Sequence, residues 1–524
     1  MREESLCQWT DWLGLQAVDV EVLRPKTQTE LLRRLRRFGQ LDRRRIRAAG
    51  SGHSTSVVAQ PRAGEFLVQI EDCQLDHTHL DQGWLKHPDP LHLRVRAGTR
   101  IQDLNDRLAT DGQGRALPNM GAYDGQTLAG AISTSTHGTG TITGPLCDMV
   151  KSVELVGVEA DERGHPKVQA FRIEPKRGIT DPVAFQADYS IHETKLIQED
   201  EVFYSVVVGL GCFGIVTGYT LELTDAFWVE EGRSMEPWYL VRPHLHRWVE
   251  EYDFFDMVIS ALPEMGHHRC QVTRRRKIAP KDTPPPARND ARIEPLRKRW
   301  QRAVDEGHPN PQAKVAATMA KLANARPRFA NSCTIGRLQE EAEAHPSSDR
   351  VWWSSRSDVV FLGSVGKFIH ATSTEVAFDR VHAIEAVERI FAHMGMLWDR
   401  GYFHGSPIGV RFQRGSPHYL SPQYGRETCT IEAPIIPGIR RRGDETSGAS
   451  TRAIALMLKR FEEELQAQPI SGRPHWGQRN TQTLSEAELQ YPKWNVWRRV
   501  YERFNAFGTF DSALTDALGL SMGR

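Results

Sequence analysis

The stretch LPNMGAYDGQTLAGAISTSTHGTG, residues 117–140, strings small side chains, hydroxyls and glycines over a length that ordinary loops rarely reach. Such a run can lie flat against a ring system, because backbone N–H groups approach closely where side chains are small. Upstream, GSGHS at 50–54 follows the apolar segment IRAA. Gly50 and Gly52 let N–H groups turn inward beside Ser51, His53 and Ser54 and form an anion nest that suits a dinucleotide pyrophosphate. The nicotinamide fingerprint GxGxxG is absent there: position 55 is Thr55, and no clean βαβ unit follows. Taken alone, GSGHS is equally a tight turn with a chance histidine. Downstream, GLGCFGIVT at 209–217 reads as a helix end and a turn into an alternating strand, and RPHWGQ at 473–478 as an aromatic turn.

Around these stretches the texture between residues 20 and 224 is α+β. Candidate strands are IRAAG, EFLVQI, LHLRVRAG, VKSVELVGV and IVTGYTLEL, and candidate helices are ELLRRLRRFG, IQDLNDRLA and EDEVFYSVVVG. Thr27 and Thr29 are N-cap candidates for the first helix, with Gly39 as its stop. The texture changes after Thr224. A Pro- and charge-rich stretch with helix-forming segments, about 274–345, reads as an exposed insertion in a second domain. Val381, Ile384, Val387 and Phe391 stand at helical spacing, and a further helix covers 451–468.

The chain has 524 residues, more than one hydrophobic core accommodates, so at least two domains are expected. Its 67 basic and 66 acidic residues leave a formal charge of +1, with no global pull toward nucleic acid or a membrane surface. The short arginine runs read as a solvated helix face. The 7 cysteines are scattered and include no CxxC, which argues against a disulfide framework and against a zinc or iron–sulfur centre; no metal is expected, and a reducing cytoplasm fits best. No apolar run reaches the length of a membrane span, and the N-terminal residues contain no signal-like apolar stretch.

In this order, the four motifs resemble the vanillyl-alcohol oxidase type of FAD enzymes, and within it the sugar-lactone and alditol oxidase branch. The resemblance spans most of the chain and is weakest over 230–400. It implies an α+β, two-domain FAD-binding fold with a substrate domain built on an antiparallel sheet. The expected division is 1–225 for FAD, 226–470 for substrate, and 471–524 returning to the FAD domain. The resemblance assigns the pyrophosphate to the turn at 50–54, and His53 to covalent attachment at the flavin 8α-methyl carbon. Gly130, Ser133, Thr134, His137 and Gly138 are expected to line the pyrophosphate and isoalloxazine, and Gly214 and Ile215 to meet the adenosine end through backbone groups. Gly121 falls where glycine accompanies reaction with O₂ and a bulkier alanine shields the flavin.

Four departures fall in the site. Where sugar-oxidising members carry Glu-x-Arg, this chain has Gly409-Val410-Arg411. Glu432 stands where alditol oxidase has a histidine, and the late HWGK ends here as His475-Trp476-Gly477-Gln478. Ala122 also replaces a frequent serine. Lost polyol contacts point toward a less polar or larger substrate, since each buried unpaired polar group costs roughly 1–3 kcal/mol. The expected catalytic set is Glu432 as general base and Arg411 as its electrostatic partner, with Gln478 and His475 beside them; Glu432 as a plain ion-pair partner of Arg411 stays open. The expected reaction is hydride transfer from a carbinol carbon to flavin N5, with O₂ accepting the electrons. Three alternatives remain: a dehydrogenase passing electrons to a quinone or carrier protein, an oxidase of a sterol or biosynthetic intermediate, and a flavin-binding module without turnover.

Overall fold

The computed structural model describes residues 5–11, 17–41, 45–70, 82–188, 193–280, 321–343, 353–357, 372–404, 406–435 and 449–521. The first unit begins with a parallel arrangement. Strands Ala17–Leu23 and Ile46–Ala49 both pair in parallel with Phe66–Gln69, and helix Gln28–Leu41 makes the crossover. Thr27 caps that helix, its hydroxyl accepting from the N–H of Glu30 at 3.1 Å. The helix runs on past Gly39, where a stop was expected. A lone glycine costs a helix only about 1 kcal/mol, too little to end it without a following breaker.

Next comes a five-stranded sheet in the order His92–Arg96, Ile215–Glu222, Val150–Ala160, Pro166–Glu174, Thr194–Gln198. Its central strand, Val150–Ala160, is buried at nearly every position. Helices Gln28–Leu41, Asp200–Val206 and Trp494–Phe504 pack on it. The strand Pro166–Glu174 escaped the sequence reading because its buried residues include Arg172 and Glu174. Arg172 reaches Glu154 and Glu174 at 3.0 Å each, so the charges are buried as pairs.

The second unit is an eight-stranded antiparallel sheet. Its order is Trp353–Arg356, Trp228–Pro237, Arg269–Ile278, Phe254–Ile259, Ile408–Gln413, Thr428–Ile435, Thr372–Asp379, Arg473–Pro474. Helices Ala383–Asp399 and Ala449–Gln466 cover one face. Strand alternation buries Val376, Val410 and Ile431 under them and turns Glu375, Arg411 and Glu432 to the other face. Val381, expected on the buried stripe, is 64% exposed. The Asp379 carboxylate caps the N–H of Val381 and winds 380–382 into a 3-10 turn, so the helix and its apolar stripe start at Ala383.

Two large apolar clusters follow this division. One joins the five-stranded sheet to late residues Trp476, Trp494, Trp497, Tyr501, Phe504 and Leu514. The other lies between the eight-stranded sheet and its helices. Among the described residues no helix is long and apolar enough to cross a membrane.

Candidate active site

A cavity of about 690 Å³ runs between the glycine-rich stretches and the free face of the large sheet. Its first wall is backbone. In the 50–54 turn only Gly52 has a left-handed φ, at 66°. Gly50 is needed for another reason: a Cβ there would stand 1.9 Å from the Thr127 hydroxyl, so the turn rests directly on the start of helix Leu128–Ser133. A Cβ on Gly138 would meet the Met120 carbonyl oxygen at 2.2 Å, so 119–121 and 137–139 lie back to back. Gly121 packs more loosely, with Thr136 Cγ2 at 3.1 Å from where its Cβ would be. The His53 ring stacks on Tyr123 at 4.4 Å.

The distant motifs meet here. The N–H of Thr55 donates to the Gly477 carbonyl at 2.9 Å, and the Ser56 hydroxyl donates to the Trp476 carbonyl at 2.6 Å. Arg47 ties in the third motif by donating to the carbonyls of Leu210 and Gly211 at 2.6 and 3.1 Å. Gly50, Ser51, Gly52, His53, Ser54, Gly121, Gly130, Ser133, Thr134, His137, Gly138 and Gly214 all line the cavity. Ile215 does not: it is 1% exposed within the core, and strand alternation presents Val216 to the cavity instead. The Thr55 hydroxyl faces this wall buried, without a hydrogen-bond partner among the described residues. Glycine backbone at the turn, hydroxyls along the run and a long cavity fit a flavin dinucleotide.

The second wall is charged. Cross-strand register sets Glu375 opposite Glu432, and Glu432 opposite Gly409. Two carboxylates in one row repel unless a cation separates them. Arg411 does so, its Nη1 donating to Glu432 at 2.8 Å and to Glu375 at 3.2 Å. Gly409 makes the room: a Cβ there would lie 3.6 Å from the guanidinium. Burial opposes the charge on Arg411, and the two carboxylates overcome it, raising its pKa. The Gln478 amide donates to Glu432 at 3.4 Å and accepts from the Ser373 hydroxyl. The N–H of His475 donates to the Glu375 carbonyl at 2.8 Å. Burial pushes the imidazole of His475 down to about 4.

Glu375 was missing from the sequence reading. Its side chain is 6% exposed and touches both His137, at 2.7 Å, and Arg411. STEVAFD carries no mark of this beyond strand alternation, because only the register across three strands brings 375, 411 and 432 together. Outside the lining, Cys147, Asp148 and His418 hold ligand-type atoms within 4.8 Å of one another, a grouping spacing alone conceals. The Ser416 hydroxyl donates to Asp148 there at 2.6 Å. Leu322, Ala323, Ala330, Thr334 and Leu338 also line the cavity.

A dinucleotide cavity that opens on paired carboxylates and an arginine defines a flavin-dependent oxidoreductase. An FAD binding domain model matches residues 21–161, and the D-arabinono-1,4-lactone oxidase model matches residues 220–517. The chain belongs to the D-arabinono-1,4-lactone oxidase family, in the sugar-lactone and alditol oxidase branch of the FAD enzymes. It is 23% identical over 500 residues to an L-gulono-1,4-lactone dehydrogenase of Mycobacterium tuberculosis, covering 95% of each chain. It is 24% identical over 510 residues to an alditol oxidase of a Streptomyces species, covering 96% of each. A cholesterol oxidase from Brevibacterium sterolicum superposes with a TM-score of 0.71 at 13% identity, over 99% of this chain and 98% of that one, a likeness of fold.

Proposed function

We propose that this FAD-dependent oxidoreductase oxidises the C–OH group of a lactone or alditol-like substrate, with Glu432 taking the hydroxyl proton. The observation that carries the reading is Arg411 held between Glu375 and Glu432 across the cavity from the glycine wall. Bound FAD supplies a two-electron acceptor for the hydride of the carbinol carbon. Glu432 accepts the proton, Arg411 stabilises the oxygen as charge builds there, and Gln478 fixes the Glu432 carboxylate. His475 stays neutral and packs the floor. The glycine wall and its hydroxyls hold the pyrophosphate and ring, and His53, stacked on Tyr123, is the proposed covalent attachment point. O₂ is the proposed acceptor, with Gly121 leaving its path open. The two apolar clusters support an FAD domain over 1–225 and 471–524 and a substrate domain over 226–470. Six described cysteines are free thiols, which suits a reducing cytoplasm.

The apolar lining residues Leu322, Ala323, Ala330 and Leu338 favour a second reading for the substrate: a bulkier sterol or natural-product alcohol. The first experiment is acid precipitation of wild type and His53→Ala, with flavin fluorescence read in pellet and supernatant, followed by anaerobic reduction with lactones, alditols and a sterol. Fluorescence that stays with wild type and leaves the variant supports His53 attachment. Flavin released from both removes the covalent bond and keeps the enzyme class. Bleaching by the sterol alone selects the second reading, and peroxide release on admitting air tests O₂ as acceptor.

A further inference from the structure

Two histidines of the cavity, His137 and His475, stand edge to face, ring centroids 5.9 Å apart, and their hydrogen bonds require different protonation states. His475 Nδ1 accepts from the N–H of Gly477 at 3.2 Å, so that nitrogen carries no proton and the ring is neutral. His137 faces acceptors on both sides. Its Nδ1 lies 2.9 Å from the Gly138 carbonyl, and its Nε2 lies 2.7 Å from Glu375 Oε1. A carbonyl cannot donate. The other Glu375 oxygen accepts from Arg411, which favours the ionised carboxylate over a protonated one. With both partners accepting, the His137 ring needs a proton on each nitrogen.

The charged and titratable groups that enter this balance are Glu375 on its strand, Arg411 and Glu432 on the next two, His475 on the late segment, and, one strand further on, Asp256, which faces Arg411 and pairs with Arg275. His137 cation, Glu375 anion, Arg411 cation and Glu432 anion form an alternating row. Burial works against a charged His137, and the Glu375 carboxylate with its hydrogen bond outweighs it, so the imidazole pKa lies above its ordinary value. Burial likewise disfavours the Glu375 anion, and the His137 cation outweighs it, so the carboxyl lies below its ordinary range.

We propose that His137 is a resident imidazolium of the cavity, held in that form by Glu375 as a positioning residue, and that its charge balances the negative charge that flavin reduction brings into the site. The second part rests on the flavin reading above. In that reaction the carbinol C–H bond breaks and its electron pair leaves as hydride for the flavin, while the hydroxyl proton goes to Glu432. The ring system would therefore gain one negative charge while Glu432 loses its own, which leaves two cations, His137 and Arg411, against the single Glu375 anion on the facing wall. A buried cation within reach favours the reduced form.

Two measurements test this on the full-length protein. Nitrogen NMR of histidine-labelled protein, with His137 assigned by its loss in His137→Gln, is expected to show both ring nitrogens protonated at neutral pH in wild type. In Glu375→Gln the same ring is expected to be singly protonated. A neutral His137 in wild type overturns the proposal, and this readout needs no flavin. The second is the midpoint potential of the bound flavin. His137→Gln is expected to lower the equilibrium constant for two-electron reduction about tenfold, about 30 mV for this couple. His137→Asn serves if the first variant does not fold. A potential unchanged within about twofold in that constant overturns the electrostatic role. Wild type that holds no flavin, with His137 doubly protonated, overturns the functional reading and the electrostatic role together and leaves the imidazolium standing.

Discussion

The two walls of the cavity are built on opposite principles. The glycine wall is made of contiguous stretches in which backbone touches backbone, and its glycines are fixed by what would collide: Gly50 against Thr127, Gly138 against Met120. The charged wall is made of single side chains from separate strands, and its glycine, Gly409, has space above it that Arg411 fills. One wall is specified by exclusion, the other by charge. The first tolerates almost no change of shape, whereas the second can trade residues between strands while keeping an arginine between carboxylates.

The sharpest way to break this contrast is Gly138→Ala. A methyl group 2.2 Å from a carbonyl oxygen forces the two segments apart, with an expected cost of about 3 kcal/mol or more. Thermal melting and flavin content should both fall, and a variant with wild-type values would show that the wall is not close-packed. Glu432→Gln should do the reverse, leaving flavin content and melting near wild type while turnover drops by about 10²–10⁴. Unchanged turnover would reduce Glu432 to an ion-pair partner of Arg411.

A smaller effect sits behind the charged wall. Glu462, on the helix Ala449–Gln466, accepts from the N–H of Thr481 at 3.1 Å and so anchors the segment after Gln478. Burial raises its carboxyl from 4.5 to about 7, against the pull of the Thr481 bonds. Between those values the folded chain binds more protons than the unfolded one, so stability falls as pH rises through the window. Glu462→Gln should remove that slope, raising stability by about 1–3 kcal/mol at about pH 8 relative to about pH 5. Melting curves at the two pH values check it; an unchanged slope assigns the pH dependence elsewhere. Smallest of all is Gly409→Ala, whose Cβ at 3.6 Å from the guanidinium is in ordinary contact. Melting within about 1 kcal/mol of wild type is expected, and a loss comparable to that of Gly138→Ala would erase the distinction between the walls.

The same distinction sets what the amino-acid order could reveal. The glycine wall was legible because its parts are short contiguous strings, and the family and the α+β class followed from them. Arg411 and Glu432 were legible by resemblance. Glu375 was not, because its role comes from pairing register with residues 36 and 57 positions away in a sheet whose strand order the sequence does not state. Ile215 enters the reading through its backbone alone: its side chain is buried, and one step along the strand Val216 lines the cavity. Val381 was not legible, because a side-chain cap that periodicity does not reveal turns it outward.

The segment around Trp476 carries a consequence for how the molecule comes into being. Within a few residues it adds a strand beside Val376 and Ala377, sends Trp476 into the first apolar cluster and bonds the turn that holds His53. During synthesis the N-terminal half therefore emerges with part of its apolar surface bare, and waits for residues 473–514 before it can close. Closure across so many positions is slow compared with local folding. Completion of the turn that carries His53 is then a late event in the life of the chain.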